Sequence, residues 1–118
     1  YHVYSDNKGQ TFSDPISLFS ADYVALVHNG ASLTVDKNDN VWVAFMMFKD
    51  PNTENHGGDS DNSQFELNVI VHDRSGKMID KTTFDLDAHA FANIAQTDKG
   101  TILGYTNKQG AQIVTLEI

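Results

Sequence analysis

An all-β, antiparallel fold is predicted by three observations. Short segments rich in valine, isoleucine, threonine and aromatic residues follow one another at 2–5, 16–20, 31–36, 41–48, 66–73, 78–86, 92–96, 101–106 and 112–118. Turn chemistry separates many of them: Asp6-Asn7-Lys8-Gly9, Lys37-Asn38-Asp39-Asn40, Arg74-Ser75-Gly76-Lys77, Asp98-Lys99-Gly100 and Lys108-Gln109-Gly110. No segment carries a run of helical period. Short strands at nearly even spacing with tight turns build antiparallel sheets.

The elements follow in order. The chain opens on a strand, turns through Asp6, Asn7, Lys8 and Gly9, and closes on Thr11 and Phe12. Gly9 accepts positive φ, and the short polar side chains can bond turn amides. Residues 41–47 are apolar at successive positions, as in a strand covered on both faces rather than one. Residues 50–64, Asp-Pro-Asn-Thr-Glu-Asn-His-Gly-Gly-Asp-Ser-Asp-Asn-Ser-Gln, form the longest stretch without a strand signal. Loops of that length in a compact domain are functional or disordered.

The chain also repeats itself. A shift of 61 residues sets His28 on His89, Ala31 on Ala92, Ser32 on Asn93, Leu33 on Ile94, Val41 on Ile102 and Trp42 on Leu103. A shift of 67 sets Asp6 on Asp73, Gly9 on Gly76, Val3 on Ile70 and Phe12 on Ile79. The two shifts differ because the link from Gly9 to His28 is six residues longer than that from Gly76 to His89. The implied unit is four strands joined as two hairpins. Four-stranded antiparallel units in series predict the blades of a β-propeller. About two and a half blades are legible in one partial propeller domain: residues 1–20 are the outer half of one blade, 28–87 a complete blade and 89–118 the start of the next. The competing architecture is a nine-stranded sandwich whose repeats are coincidental. A propeller closes with roughly four to eight blades, so the remaining blades are expected from the same or another chain.

Composition narrows the function. The 118 residues suit at most one small domain, and 40% hydrophobic content suits a packed core. Sixteen acids against eight bases give a net charge of −8, with Arg74 the only arginine. That balance argues against nucleic acid as a partner. Without cysteine there is no disulfide, thiolate chemistry or cysteine zinc site. The longest apolar run, 41–48, is less than half a membrane span. No signal peptide is seen at the first residues, which fits a mature chain, a cytoplasmic protein or a piece of something longer.

Two stretches resemble known families. Ser5-Asp6-Asn7-Lys8-Gly9-Gln10-Thr11-Phe12 resembles the Asp-box of sialidase-type (BNR-repeat) propellers, a Ser-x-Asp-x-Gly-x-Thr-Trp hairpin between the outer strands of a blade. Ser5, Gly9 and Thr11 match, Phe12 stands for the aromatic residue, and Asn7 occupies the aspartate position beside Asp6. In those families the box is structural and lies opposite the active site. Residues 28–45, His-Asn-Gly-Ala-Ser-Leu-Thr-Val-Asp-Lys-Asn-Asp-Asn-Val-Trp-Val-Ala-Phe, are similar to the opening of an inner strand in the ulvan-lyase-like and rhamnosidase-like propellers. There a histidine at the position of His28 acts in the catalytic pocket. Members often carry a further histidine after the second strand, where this chain has Met46, Met47 and Phe48.

The resemblance implies a secreted or periplasmic bacterial protein that acts on or binds a polysaccharide, as a lyase or a glycoside hydrolase. A non-catalytic propeller serving as a binding scaffold is the alternative. By blade topology His28, His89 and the loop 50–64 share one rim, with His28 as the expected catalytic base and Asn29, His56 and His89 as substrate-binding residues. Histidine suits the base because it titrates near neutrality, and abstracting the proton alpha to a uronate carboxyl needs such a group. The structural alternative is that His28 and His89 bond neighbouring blades. Asp59, Asp61 and Asn62, flanked by Gly57 and Gly58, place oxygen ligands for calcium, without the full spacing of an EF-hand loop. A solvated acidic loop is the other reading. One arginine cannot supply the arginine triad of sialidase chemistry.

Overall fold

A computed structural model describes residues 1–17, 31–48, 65–86, 92–107 and 109–118. Among them the chain is all-β. Strands β1 (Ser32–Val35), β2 (Val41–Phe48), β3 (Phe65–His72) and β4 (Met78–Leu86) form one antiparallel sheet in chain order. Strands β5 (Asn93–Thr97), β6 (Gly100–Asn107) and β7 (Gly110–Leu116) form a second. Among the described residues no helix is long and apolar enough to cross a membrane.

Among the described residues the segments expected as strands at 2–5 and 16–20 contribute one antiparallel bridge, His2 with Ile16, and residues 18–20 lie outside them. Tyr4 and Ser13 extend the pairing, Ser13 N–H donating to the Tyr4 carbonyl at 2.8 Å. Next to it the ladder gives way to side-chain bonding, because the Tyr4 N–H donates to Ser13 Oγ at 3.1 Å. Residues 1–17 are thus a hairpin held largely by its turn.

The two sheets pack face to face, as their alternation dictates. On β2, Trp42, Ala44 and Met46 point one way, and Leu67, Val69 and Val71 join them from β3. Ile94 and Leu103 of the second sheet complete this buried cluster, flanked by Phe84, Tyr105, Val114 and Leu116. The opposite face of β2 and β3 is buried too, at Val43, Asn68, Ile70 and His72. The N-terminal hairpin covers part of it, with His2 stacked on His72. Both-sided burial of β2 is what its unbroken apolar run predicts.

Five turns share a device that fixes register. Asp36 Oδ1 accepts the N–H groups of Asn38 at 2.8 Å and Asn40 at 3.0 Å. Asp73 Oδ1 does the same for Ser75 at 2.9 Å and Lys77 at 3.1 Å. Thr97 Oγ1 receives the Lys99 N–H, and Asn107 Oδ1 the Gln109 N–H. In each of these four a residue with positive φ stands three positions on: Asp39 at 63°, Gly76 at 91°, Gly100 at 126° and Gly110 at 113°. The fifth, in the N-terminal hairpin, uses Ser5 and Asn7 with Gly9 at 85°. A polar acceptor that satisfies turn amides, followed by a left-handed residue, matches the twist of the strands it joins.

Strands β1–β2 and β5–β6 pair alike, one residue out of step with the expected repeat in the second strand. Leu33 pairs with Val43 and Ile94 with Leu103, so Leu103 corresponds to Val43 and not to Trp42. The reason is the turn: five residues separate the pair Val35 and Val41, and four separate Gln96 and Thr101. A one-residue change moves a side chain to the other face. Trp42 therefore faces the second sheet, and Leu103 faces back toward the first.

Removing Leu103, fully buried at the contact between sheets, is expected to cost about 2–5 kcal/mol as Leu103→Ala. Leu33→Ala, at a position 60% exposed, is expected to change stability by less than about 0.5 kcal/mol. Urea denaturation of the two variants checks the contrast.

Candidate functional site

The layers have two unlike ends. At one end lie the turns 36–40, 73–77 and 97–100, together with the N-terminal turn, whose Asp6 pairs with Arg74. At the other end β1 begins at Ser32, β2 ends and β3 begins at the pair Phe48 and Phe65, and β4 ends at Leu86. β5 begins there as well, since the Ile94 N–H donates to Ser32 Oγ at 3.0 Å. The segments 18–30, 49–64 and 87–91 attach to strand ends at this second end. They carry the residues expected to act. His28, Asn29, His56, Asp59, Asp61, Asn62 and His89 all lie outside the described residues.

What the described residues add at this end is a polar chain across β3 and β4. Asn68 is fully buried, yet its Nδ2 donates to Glu66 Oε1 at 3.2 Å and its Oδ1 accepts from Thr83 Oγ1 at 3.1 Å. Both ends of the amide are satisfied, which a buried amide requires. The chain holds the half-exposed Glu66 carboxylate near the strand ends. A polar residue inside the alternating apolar run of β3 was the available signal, and strand reading alone passes over it.

At the turn end the chemistry is consumed internally. Ser5 Oγ donates to Asn7 Oδ1 at 2.9 Å and accepts from the Gly9 N–H at 2.8 Å. Asn7 Oδ1 accepts from the Thr11 N–H at 2.9 Å, and Asn7 Nδ2 donates to Thr11 Oγ1 at 2.7 Å. An aspartate at this position would accept both Thr11 groups, whereas the asparagine accepts one and donates the other. Asn7 thus closes the turn without a charge, and Asp6 is left to meet Arg74. The Arg74 guanidinium also lies 4.9 Å from the centre of the Tyr4 ring.

Asp36 is the most heavily used carboxylate. Besides its two turn amides, its Oδ2 accepts from Trp42 Nε1 at 2.9 Å and Asn40 Nδ2 at 3.2 Å. Burial pushes its carboxyl up, but the donors Trp42, Asn40 and Asn38 outweigh that and hold it below the ordinary value of 3.8. Asp73 is also held below 3.8, first by the Ser75 hydroxyl at 2.6 Å. Between the turns of the two sheets runs a crevice of about 470 Å³, lined among others by Asp36, Lys37, Gln96, Lys99 and Glu117. Its charges are mixed, and the Trp42 ring is too buried to offer a stacking surface to a sugar. Among the described residues no three histidine or acidic side chains group to hold a metal ion.

The chain matches no family model, no curated protein and no solved structure.

Acid should expose the Asp36 turn. Its folded carboxyl titrates below the unfolded one, so its contribution is fully present above pH 3.8 and is lost as pH falls through the lower folded value. Asp36→Ala should remove this acid-linked loss and leave the Trp42 indole N–H unpaired, at a cost of about 1–3 kcal/mol at neutral pH. Denaturant midpoints of both proteins at neutral and acid pH measure it.

Proposed function

We propose that the chain forms part of an Asp-box β-propeller that acts on or binds a polysaccharide outside the cytoplasm. The observation that carries the propeller is the serial layering. The N-terminal hairpin lies on one face of the four-stranded sheet and the three-stranded sheet on the other. Leu33 and Ile94 are counterparts in the repeat, yet Leu33 is 60% exposed and Ile94 only 6%. Ile94 has a full sheet in front of it. Leu33 would gain the same cover from the inner strands of a preceding blade, whose outer hairpin is residues 1–17.

The turn at 5–12 supports the Asp-box reading through its bonding as well as its letters. The carbohydrate class rests on the resemblance of residues 28–45. In this reading the rim is the end where the strands of both sheets begin, and His28 is the base that takes the proton alpha to a uronate carboxyl. Asn29, His56 and His89 bind substrate, and Asp59, Asp61 and Asn62 hold calcium. The enolate needs a cation or an amide donor from this rim. Arg74 is unsuited to that role, because it belongs to the turn end and is engaged by Asp6 and Tyr4.

Native mass spectrometry should find this chain joined to further propeller blades, either additional polypeptide or further copies. A stable monomer of this chain alone would contradict the propeller. On the assembled protein, His28→Ala should lower cleavage of a uronate-containing polysaccharide by at least about 100-fold with the circular dichroism spectrum unchanged. Undiminished cleavage would remove His28 from catalysis, and loss of the spectrum would assign it to structure. Retained polysaccharide binding without any turnover by the unaltered protein would favour the binding scaffold.

A further inference from the structure

We infer that the N-terminal hairpin, residues 1–17, is a pH-releasable layer, held on the four-stranded sheet by the stacked rings of His2 and His72 and released when His2 takes up a proton. The rings lie 4.6 Å apart between centres, with 26° between their planes. His72 is 1% exposed, and its Nδ1 lies 2.8 Å from the Asp73 carbonyl oxygen. A carbonyl can only accept, so Nδ1 carries a hydrogen, and in the neutral ring Nε2 does not. That Nε2 is buried without a hydrogen-bond partner, and so are both ring nitrogens of His2.

Such a contact tolerates two neutral rings and not a cation. A protonated His2 would carry two N–H donors and a charge, with no acceptor beside either nitrogen. The charged groups around it offer no relief. On its own hairpin these are Asp6, Lys8 and Asp14, none of them bonded to either ring nitrogen, with the Tyr4 ring 6.4 Å away. On the sheet side they are Asp73, Arg74, Lys77 and, on the same face of β4, Lys81. Asp6 is taken by Arg74, and the Asp73 carboxylate by Ser75 and the Lys77 amide. Burial and the neighbouring His72 both push the His2 imidazole below its ordinary value of 6.5.

Among the described residues three further contacts join the hairpin to the sheet, one of them the Arg74 guanidinium 4.9 Å from the centre of the Tyr4 ring. The Ile16 side chain fills the space beside Gly76, where a Cβ would collide with it. The Asp6–Arg74 pair is more than half exposed on both sides and contributes little. The bridge between His2 and Ile16 lies within the hairpin and does not fasten it to the sheet. The sign follows from the lowered His2 value. Docking is fully present above pH 6.5 and weakens as pH falls, by about tenfold per pH unit until the docked imidazole itself titrates.

The test is hydrogen exchange on the intact chain between about pH 7.5 and about pH 5.5, with intrinsic exchange rates divided out. Protection of the His2 and Ile16 amides should fall across this range while β5–β7 keep theirs. His2→Phe preserves the stack and removes the proton, and should flatten the response. His2→Asn serves if the phenylalanine variant does not fold. Loss of protection that persists in these variants, or that strikes the hairpin and β5–β7 together, would overturn the proposal. So would an NMR titration placing the His2 imidazole at or above 6.5.

Discussion

The structure depends on one constraint: β2 and β3 are buried on both faces. Trp42, Ala44, Met46, Leu67, Val69 and Val71 face one way, and Val43 and Ile70 the other. A sheet with one wet face can stand alone on a single core, but this one needs a layer on each side. Residues 1–17 supply part of that second layer, through the His2 ring and the Ile16 side chain, although their hairpin has a single backbone bridge and little stability of its own. The N-terminal segment is therefore structured by the sheet it covers, and any loosening of that contact frees it as a unit.

The turns make this layering directional. Each of the described turns satisfies its amides with its own side chains, so the turn end requires no partner to be complete. Asp36 carries this furthest by reaching past its turn to the Trp42 indole, which ties a surface loop to the core between sheets. The consequence is a division of labour along each strand. One end carries the self-bonded turns 36–40, 73–77 and 97–100, and at the other lie the turn 107–110 and the strand ends that lead into 49–64 and 87–91. The registers of β1–β2, β3–β4 and β5–β6 are fixed by turns at the first end and that of β6–β7 by its turn at the second.

Much of this was legible in the residues. Valine-rich runs and Asx-Gly turns located all seven named strands to within two residues at each end, since period and turn chemistry are local properties. The repeat was legible in β1 and β5 but one residue out in β2 and β6, because a one-residue difference in turn length is invisible until pairs are known. The weak pairing of 2–5 with 16–20 was overread, since strand propensity says nothing about how many ladder bonds a short hairpin closes. The His2–His72 stack, the Asn68 network and the Gly76–Ile16 contact were not legible. The stack, the Asn68–Thr83 bond and the Gly76–Ile16 contact each join residues at least 15 positions apart in sequence, and nothing in either partner alone announces the other. The expected rim residues lie outside the described residues, so the likeness of that end to an active rim rests on where strands begin and not on side-chain geometry.

The repeat also explains why the two sheets differ in what they leave bare. Val43 and Leu103 are counterparts and both are buried, each pointing back along the series. Trp42 points forward and is covered by the second sheet, while its counterpart Ile102 is only partly buried and Ile113, paired with Gly104 on β7, is 75% exposed. Leu33 and Val35 are bare at the opposite flank for the same reason. Isolated exposed apolar residues are ordinary on any surface. Here they fall at repeat positions whose counterparts are covered, one set at each end of the series. The same packing step that joins the first sheet to the second, applied once more in either direction, would cover them.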